Sequence, residues 1–392
     1  MSSFVCLDLG ASNTRYCNDD GIVHLLPNNI AVIDEGTNTF LDPWAVEGFE
    51  DQIRENLDVS IEKISGEASD FFPVRALIGS VANRYGGGER PNANSNKYQQ
   101  RINYISAIVS TAISMALEGN SGDVMNDVNL FVALPPVEAR LANKYVSDQL
   151  VGEYKVTFNM MNAYVKLNIT TVKCIEESNA ALLSFFFDGL SLNEKAKKYS
   201  DGYVLSIDIG ASTTDIITVL DRKFIERTGK TIKSGGNIVK SIVKDNVQAL
   251  YGFEPEDAES ERAVAEGRIK SGASYIDVSG IVTSAKRDFA VQIVNEMQTY
   301  FKQIGVPIQT FSAIVVSGGG SMRGEYCDAS GNLVKTSEPM SFFITEKLKT
   351  ICDTIIVEHI EDGPRLANIK GLYLRALFNK ASIEKEKRSR MA

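Results

Sequence analysis

The sequence contains few of the residues that build zinc sites, disulfide frameworks or membrane spans. It has 392 residues but only two histidines, so neither a zinc site nor a histidine-based catalytic triad is expected. The five cysteines show no paired metal-ligand spacing, which fits a reducing, cytoplasmic location. No apolar run approaches the ~20 residues of a membrane helix. The chain enters an apolar run at Phe4, so no signal peptide is expected.

The overall composition is that of an ordinary globular protein, with 44% hydrophobic and 23% charged residues. Its length favours two or three domains. The formal net charge of −9 argues against direct, nonspecific binding of the folded body to DNA.

One short motif occurs twice, starting at Asp8 and again at Asp208. The first copy reads DLGASNT and the second DIGASTTD, and each follows a short apolar run that is typical of a buried strand. Gly10 and Gly210 allow a tight turn and a close approach to a ligand. Hydroxyl and backbone N–H groups in such a turn can hold phosphate oxygens. The repeat therefore predicts two related domains that bind one nucleotide from opposite sides.

Carboxylates near these turns are candidates for metal and water chemistry. Asp8 and Asp208 are predicted to hold Mg²⁺ through its water shell. Glu177, between the two motifs, is predicted to orient the attacking water, with Asp208 as the second catalytic group. The alternative for Glu177 is a charge favoured at a helix start. The predicted nucleotide-binding residues are Asp8, Gly10, Ser12, Asn13, Thr14, Gly210, Ser212, Thr213, Thr214, Gly235, Gly236, Glu266, Lys270, Gly318, Gly319 and Gly320.

Some of these residues also have simpler interpretations. Gly318 to Gly320 directly follow an apolar strand, and a triple glycine is often only a turn. Glu266 and Lys270 are taken to lie one helical turn apart, where they would either form a surface pair or reach the ribose and base.

The order of elements supports two related halves. A helix is predicted over 102–117 and stopped by Gly119, a strand over 128–134, and a helix opening within 174–183. The second half repeats this with a hairpin over 203–224, a helix from 234, a strand over 313–316 and a closing helix over 365–378. Residues 189–202 are predicted to be a loop, and Arg84 to Asn96 a glycine- and asparagine-rich exposed loop.

These segments resemble the actin, Hsp70 and sugar-kinase ATPase superfamily, and within it the ParM-type plasmid-segregation actins. Residues 8–14 and 208–215 look like the two phosphate motifs, and 317–320 like the adenosine motif. Residues 175–181 and 364–373 look like the two connecting helices. Glu176 replaces a proline usual in the first of these, and Asn237 replaces an aspartate usual after two glycines.

The resemblance implies an α/β, actin-like fold with two ribonuclease-H-like domains flanking a nucleotide cleft. Domain I is expected over 1–202 with an inserted subdomain at about 27–97 and a closing helix at 365–392, and domain II over 203–364. The implied function is an ATP- or GTP-hydrolysing, Mg²⁺-dependent protein that forms a head-to-tail filament. Such a filament segregates plasmid DNA through an adaptor bound to centromere-like DNA, without contact with a membrane. The alternatives are a small-molecule kinase and a non-segregating bacterial cytoskeletal actin.

Overall fold

Tertiary contacts divide the chain into two compact units. The computed structural model describes residues 3–37, 39, 56–69, 71–85, 88–92, 95–199, 201–221, 223–225, 228–272, 274–328, 330–360 and 363–391, without the side chains of 258 and 383–391. Unit 1 contains Met1–Ser184 and Asn368–Ala392, and unit 2 contains Phe185–Ala367.

Unit 1 is built on a nine-stranded sheet. Its strands are β1 (Ser3–Leu9), β2 (Asn13–Cys17), β3 (His24–Pro27), β4 (Ile30–Ile33), β5 (Asn56–Ser65), β6 (Val74–Gly79), β7 (Met125–Leu134), β8 (Gly152–Phe158) and β9 (Ala163–Glu176). The order across the sheet is β3-β2-β1-β7-β9-β8-β5-β6-β4. The first half of the unit also contains helices α1 (Ser80–Arg84), α2 (Arg101–Leu117), α3 (Pro136–Leu150) and α4 (Glu177–Phe186).

Helix α2 lies in the core of unit 1, as its apolar spacing predicted. Ile105, Ile108 and Ile113 are fully buried in the main hydrophobic cluster of this unit. The helix ends at Leu117, and the N–H of Gly119 bonds back to the carbonyl of Ala116 at 3.0 Å. The positive φ of Gly119, 81°, explains why the helix stops there.

Unit 2 is built on a smaller sheet. The strands of this unit are β10 (Phe187–Asp188), β11 (Ser191–Leu192), β12 (Tyr203–Ile209), β13 (Thr214–Leu220), β14 (Lys223–Phe224), β15 (Lys230–Ile232), β16 (Arg268–Ser271), β17 (Ser274–Asp277), β18 (Phe311–Ser317), β19 (Gly324–Cys327), β20 (Leu333–Ser337) and β21 (Val357–His359). Six of them form the main sheet of the unit, in the order β14-β13-β12-β18-β21 with β15 paired to β13. Its helices are α5 (Glu194–Lys198), α6 (Asn237–Tyr251), α7 (Asp257–Glu266), α8 (Ser279–Gln303) and α9 (Met340–Lys349). The closing helix α10 (Ala367–Met391) belongs to unit 1 from Asn368 onward.

The two units share one strand topology. In unit 1, β1 pairs antiparallel with β2 and parallel with β7, which pairs parallel with β9. In unit 2, β12 pairs antiparallel with β13 and parallel with β18, which pairs parallel with β21. The repeated motif therefore lies at the same topological position in both sheets, at the turn of the first hairpin.

Helix α4 begins at Glu177, within the predicted 174–183 and with Glu177 at its start as expected, because the residues before it continue strand β9. One element differs from the sequence-based predictions. The predicted loop at 189–202 contains β11 and α5, and Asn193 caps α5 by accepting the N–H of Ala196 at 3.0 Å. The closing helix runs to Met391, past the 378 indicated by its apolar pattern and close to the 392 implied by the resemblance.

The predicted domain boundary after residue 202 also differs from the grouping of contacts. Residues from Phe185 onward pack with unit 2, where the hydroxyl of Tyr199 donates to Glu358 on β21 at 2.5 Å.

Within the predicted loop of residues 84–96, residues 86, 87, 93 and 94 lie outside the described part. Glu89 there forms a bridge to Ile30.

Candidate functional site

The first hairpin turns where the sequence places Gly10. The N–H of Gly10 bonds to the carbonyl of Asp8 at 3.1 Å. A Cβ at this position would lie 2.6 Å from the carbonyl oxygen of Asn13, closer than real Cβ atoms come. The hairpin can therefore close only around a glycine, while Ser12 at its tip is exposed.

Asp8 forms an ion pair within this hairpin. It is 4% exposed, and Arg15 is its cross-strand neighbour on β2. The Nη1 of Arg15 donates to Oδ2 of Asp8 at 3.1 Å. The pair places a guanidinium beside the turn, where it can attract a phosphate. Sequence reasoning missed Arg15, although its position on the returning strand was the available signal.

A buried asparagine outside the motif fixes the shape of the same turn. The side-chain amide of Asn28 donates to the carbonyl of Gly10 at 2.5 Å, and its oxygen accepts the hydroxyls of Thr14 and Ser106, each at 2.8 Å. Its backbone N–H bonds to the carbonyl of Ser12 at 2.9 Å. Thr14 is fully buried, so its hydroxyl maintains the turn rather than facing a ligand. No local pattern marked Asn28 in the sequence.

The second hairpin is fixed instead by the start of helix α6. The N–H groups of Gly236 and Asn237 bond to the carbonyls of Gly210 and Ala211 at 2.9 and 2.7 Å. A Cβ on Gly235 would lie 2.7 Å from the carbonyl of Ala211. Gly235 and Gly236, both predicted to bind nucleotide, therefore let the start of α6 pack closely against the turn of the hairpin.

Thr214 resembles Thr14 in its role. It is fully buried, and its hydroxyl donates to the carbonyl of Ser234 at 2.7 Å. Ser212 and Thr213 are half-buried near the tip, and the amide of Asn237 lies 3.4 Å from the hydroxyl of Ser212.

Two carboxylates lie side by side in the second hairpin. Asp208 and Asp215 are direct cross-strand partners and are 4% and 2% exposed. Thr231 donates to Asp215 at 2.5 Å, and Ser317 donates to Asp208 at 3.2 Å. Neighbouring carboxylates repel each other, and oxygen ligands of this kind suit Mg²⁺ or its water shell. The structure therefore adds Asp215 to the predicted metal candidate Asp208.

The triple glycine packs directly against this hairpin. Gly318 has a φ of 90°, and a Cβ there would lie 2.4 Å from Oδ1 of Asp208. Its N–H bonds to the carbonyl of Pro364 at 3.1 Å. A Cβ on Gly320 would lie 2.7 Å from the side chain of Ile209, whereas one on Gly319 would meet only the flexible Arg365 at 3.3 Å. Unit 2 thus brings the second motif, the start of α6 and the triple glycine together.

Glu177 is the first residue of helix α4 and is 5% exposed. Its Oε1 accepts a hydrogen bond from Nζ of Lys97, which the sequence analysis did not single out. Both residues belong to unit 1. Burial of a carboxylate at a helix start, with a cation in contact, is compatible with either predicted role of Glu177.

The expectation that Glu266 and Lys270 lie one helical turn apart is wrong. Helix α7 ends at Glu266 because Gly267 takes a left-handed φ of 67°, and Lys270 lies on strand β16. Glu266 accepts a hydrogen bond from Nε of Arg268 at 2.9 Å. The guanidinium of Arg268 also stacks 3.7 Å from the ring centre of Tyr326. Any role of Glu266 or Lys270 at a base or ribose stays a prediction.

Two properties of the described part of the chain bear on the metal and membrane predictions. Within it, no group of three or more histidine, cysteine, aspartate or glutamate side chains is arranged to hold a metal ion. Among the same residues, none of the helices is long and apolar enough to cross a membrane.

Comparisons with known proteins identify the fold. The profile of a family described as archaeal actin homologue MreB-like, C-terminal, matches residues 206–324. A search of curated proteins gave no match. The actin-like protein Alp7A superposes with a TM-score of 0.75 at 17% identity, covering 99% of this chain and 100% of Alp7A.

Two ParM structures are also similar. A ParM from a 15-stranded filament of Clostridium botulinum has a TM-score of 0.65 at 17% identity, covering 95% of this chain and 98% of that one. Bacillus thuringiensis ParM with ATP has a TM-score of 0.63 at 16% identity, covering 97% and 99%. The predicted fold class is confirmed, and this chain has the actin-like fold.

Proposed function

We propose that this chain is a nucleotide-dependent, filament-forming actin-like ATPase that segregates plasmid DNA through an adaptor protein. The observation that carries the proposal is the repeated hairpin between the first two strands of the main sheet of each unit. Asp8 and Arg15 face each other in one hairpin, and Asp208 and Asp215 in the other. A guanidinium suits phosphate oxygens and a carboxylate pair suits a hydrated cation, as a Mg²⁺-nucleotide requires.

The candidate nucleotide is ATP or GTP, bound with Mg²⁺. Asp208 and Asp215 would hold the metal's water shell, with Asp8 as the corresponding acid of unit 1. The metal ion, when bound, neutralises charge on the phosphates. Ser12 is exposed and the tip of the second hairpin is half-buried, so their hydroxyl and N–H groups would donate hydrogen bonds to phosphate oxygens.

Glu177 is the candidate for orienting the attacking water. Its place at the first residue of α4 holds its backbone in a helical conformation, and burial limits the waters that can reach it. An aligned general base typically contributes about 10²- to 10⁴-fold to a rate. Removal of its carboxylate is therefore expected to suppress hydrolysis while leaving nucleotide affinity largely intact.

The filament and segregation parts of the proposal rest on similarity of fold. ParM of Clostridium botulinum forms a 15-stranded filament, and Bacillus thuringiensis ParM is solved with ATP. A head-to-tail contact between copies is heterologous and does not close, so it propagates into a polymer. The adaptor would supply the link to DNA, because a chain of net charge −9 is poorly suited to bind DNA by itself.

Nucleotide binding can be tested by thermal melting with ATP or GTP, each with and without Mg²⁺. A ligand specific to the folded state at 100 times its Kd adds about 2.7 kcal/mol of stability, which gives a measurable rise in Tm. Asp208→Asn should reduce the part of the shift that depends on Mg²⁺. Exposed Asp123, remote from the hairpins in sequence, provides the control variant Asp123→Asn. If no nucleotide at millimolar concentration shifts the Tm, the proposal fails.

Assembly can be tested by light scattering and pelleting across a concentration series. We expect polymer above a critical concentration when ATP or GTP is added, and disassembly as the nucleotide is consumed. A flat response at tens of micromolar protein, together with rapid ATP turnover when a sugar or other small acceptor is added, would favour the kinase alternative.

A further inference from the structure

The ammonium of Lys97 is in direct contact with the carboxylate of Glu177. Lys97 begins a short 3-10 helix over Lys97–Gln99, directly before α2, and is separated from Glu177 by 80 positions in the sequence. The Glu177 side chain is 7% exposed and the Lys97 side chain 22%. Exposed ion pairs contribute little to stability. The free energy of a carboxylate this deeply buried, however, depends strongly on the cation in contact with it.

The backbone around Lys97 is fixed on several sides. The amide of Asn103 donates to the carbonyl of Lys97 at 2.8 Å, and the N–H of Tyr98 donates to Glu138 at 3.2 Å. The hydroxyl of Tyr104 donates to the carbonyl of Tyr98 at 2.5 Å. These contacts tie the short helix to α2 and α3. The backbone of Lys97 is therefore held in place where its side chain reaches Glu177.

Lys97 also lies close to the strand that carries the first phosphate motif. It lines a small, mainly apolar cavity together with Leu9, the residue after Asp8, and with Tyr104 and Val132. The aliphatic stem of a lysine packs readily on such a surface while its ammonium reaches a polar partner. Lys97 therefore links the end of β1 to the first residue of α4 within unit 1.

We propose that Lys97 is a positioning residue that holds the Glu177 carboxylate in the orientation needed to direct the attacking water. The inference rests on the proposed function of Glu177 and adds the residue that fixes its side chain. A carboxylate has several rotamers, and a misplacement of about 1 Å at a reacting group can cost 10²-fold in rate. A second group that restrains the rotamer is therefore expected where the carboxylate must point in one direction.

The experiment compares steady-state hydrolysis and nucleotide affinity in Lys97→Met and Lys97→Arg. Methionine keeps most of the apolar stem but removes the ammonium, and we expect kcat to fall about 10- to 100-fold with the nucleotide Kd within about twofold of wild type. Arginine retains the charge and should recover part of the lost kcat. Lys166→Met removes a more exposed ion pair of unit 1, between Lys166 and Asp123, and should leave both constants unchanged.

Two further variants make the result decisive. If Lys97 acts through Glu177, the double variant Lys97→Met/Glu177→Ala should lose no more than Glu177→Ala alone. Lys97→Gln, which keeps a hydrogen-bond donor, replaces the methionine variant if the latter does not fold, and should show the same loss of kcat without loss of affinity.

Two outcomes would overturn the inference, and they are distinguishable. If Glu177→Ala loses hydrolysis but Lys97→Met turns over at the wild-type rate, Lys97 does not position the carboxylate and the proposed function stands. If Glu177→Ala itself hydrolyses nucleotide at the wild-type rate, the proposed role of Glu177 and the inference fail together.

Discussion

The buried lysine of helix α8 should make the stability of unit 2 rise with pH. Lys286 is 2% exposed, and its Nζ donates to the carbonyls of Met322 and Glu338 at 2.9 and 3.2 Å and to the hydroxyl of Ser337 at 2.8 Å. All three partners are neutral acceptors. Burial lowers the pKa of Lys286 from 10.5 to about 8, and the charge of Glu338 opposes this only in part.

The sign and size follow from proton linkage. Between pH 8 and 10.5 the unfolded chain binds more protons at this position than the folded chain does, so stability rises with pH. The cost of burying the charged form is complete below pH 8 and is relieved as the pH approaches 10.5. A shift of this size corresponds to about 3 kcal/mol in total, and about 2 kcal/mol of it should appear between about pH 7.5 and 9.5.

The assay is urea unfolding at several pH values for the wild type, Lys286→Met and a control. Other groups also titrate in this range, so the informative quantity is the difference in unfolding free energy between wild type and Lys286→Met at each pH. That difference should change by about 2 kcal/mol in favour of the wild type from about pH 7.5 to 9.5. Lys302→Met removes an exposed lysine from the same helix and should give a constant difference. A constant difference for Lys286→Met as well would refute the reasoning.

Three further substitutions test the site and its support. Glu177→Ala should reduce phosphate release about 10²- to 10⁴-fold and lengthen filament lifetime, as measured by phosphate assay and pelleting. Gly318→Ala should abolish the nucleotide-dependent rise in Tm, because its Cβ would lie 2.4 Å from Oδ1 of Asp208. Gly371→Ala should destabilise unit 1 by roughly 1–3 kcal/mol in urea unfolding, because its Cβ would lie 1.7 Å from the carbonyl oxygen of Ala180.

Each of these substitutions has a control variant. Glu176→Ala removes the adjacent carboxylate, and near-normal phosphate release is expected. Gly280→Ala adds a methyl group to open space in helix α8, outside the predicted site, so the Tm shift should persist and stability should not fall. Equal losses in a control and its test variant would contradict the corresponding contact.

The parts of the fold that the sequence predicted are those governed by local pattern. Helix α2 has a sustained apolar spacing and a glycine stop, and its bounds of 101–117 agree closely with the predicted 102–117. The two hairpins were predictable because a short apolar strand ends at Gly10 in one and at Gly210 in the other. The tight turn that each glycine allows depends only on neighbouring residues. Repetition of the motif then predicted the repeated topology, because similar strand–turn–strand segments build similar sheets.

The parts that were missed depend on residues distant in sequence. Asn28 holds the first turn and Lys97 contacts Glu177, but neither stands in a motif, and only the folded chain brings them to their partners. The error at Glu266 and Lys270 had a local cause. Gly267 ends the helix, and its left-handed conformation separates the two residues into different elements.

The two copies of the motif differ in charge at one position. Seven residues after the first aspartate, the first copy has Arg15 and the second has Asp215, and in both hairpins this residue is the direct cross-strand partner of that aspartate. Both units form the same tight hairpin turn, so the turn glycine and the buried threonine are present in both copies. The charge facing the aspartate is opposite, so the first hairpin carries a guanidinium that can contact an anion, whereas the second carries a carboxylate pair that suits a hydrated cation. A nucleotide with its metal ion presents both charges, and this difference between otherwise equivalent hairpins favours that ligand over a simple phosphate or a lone cation.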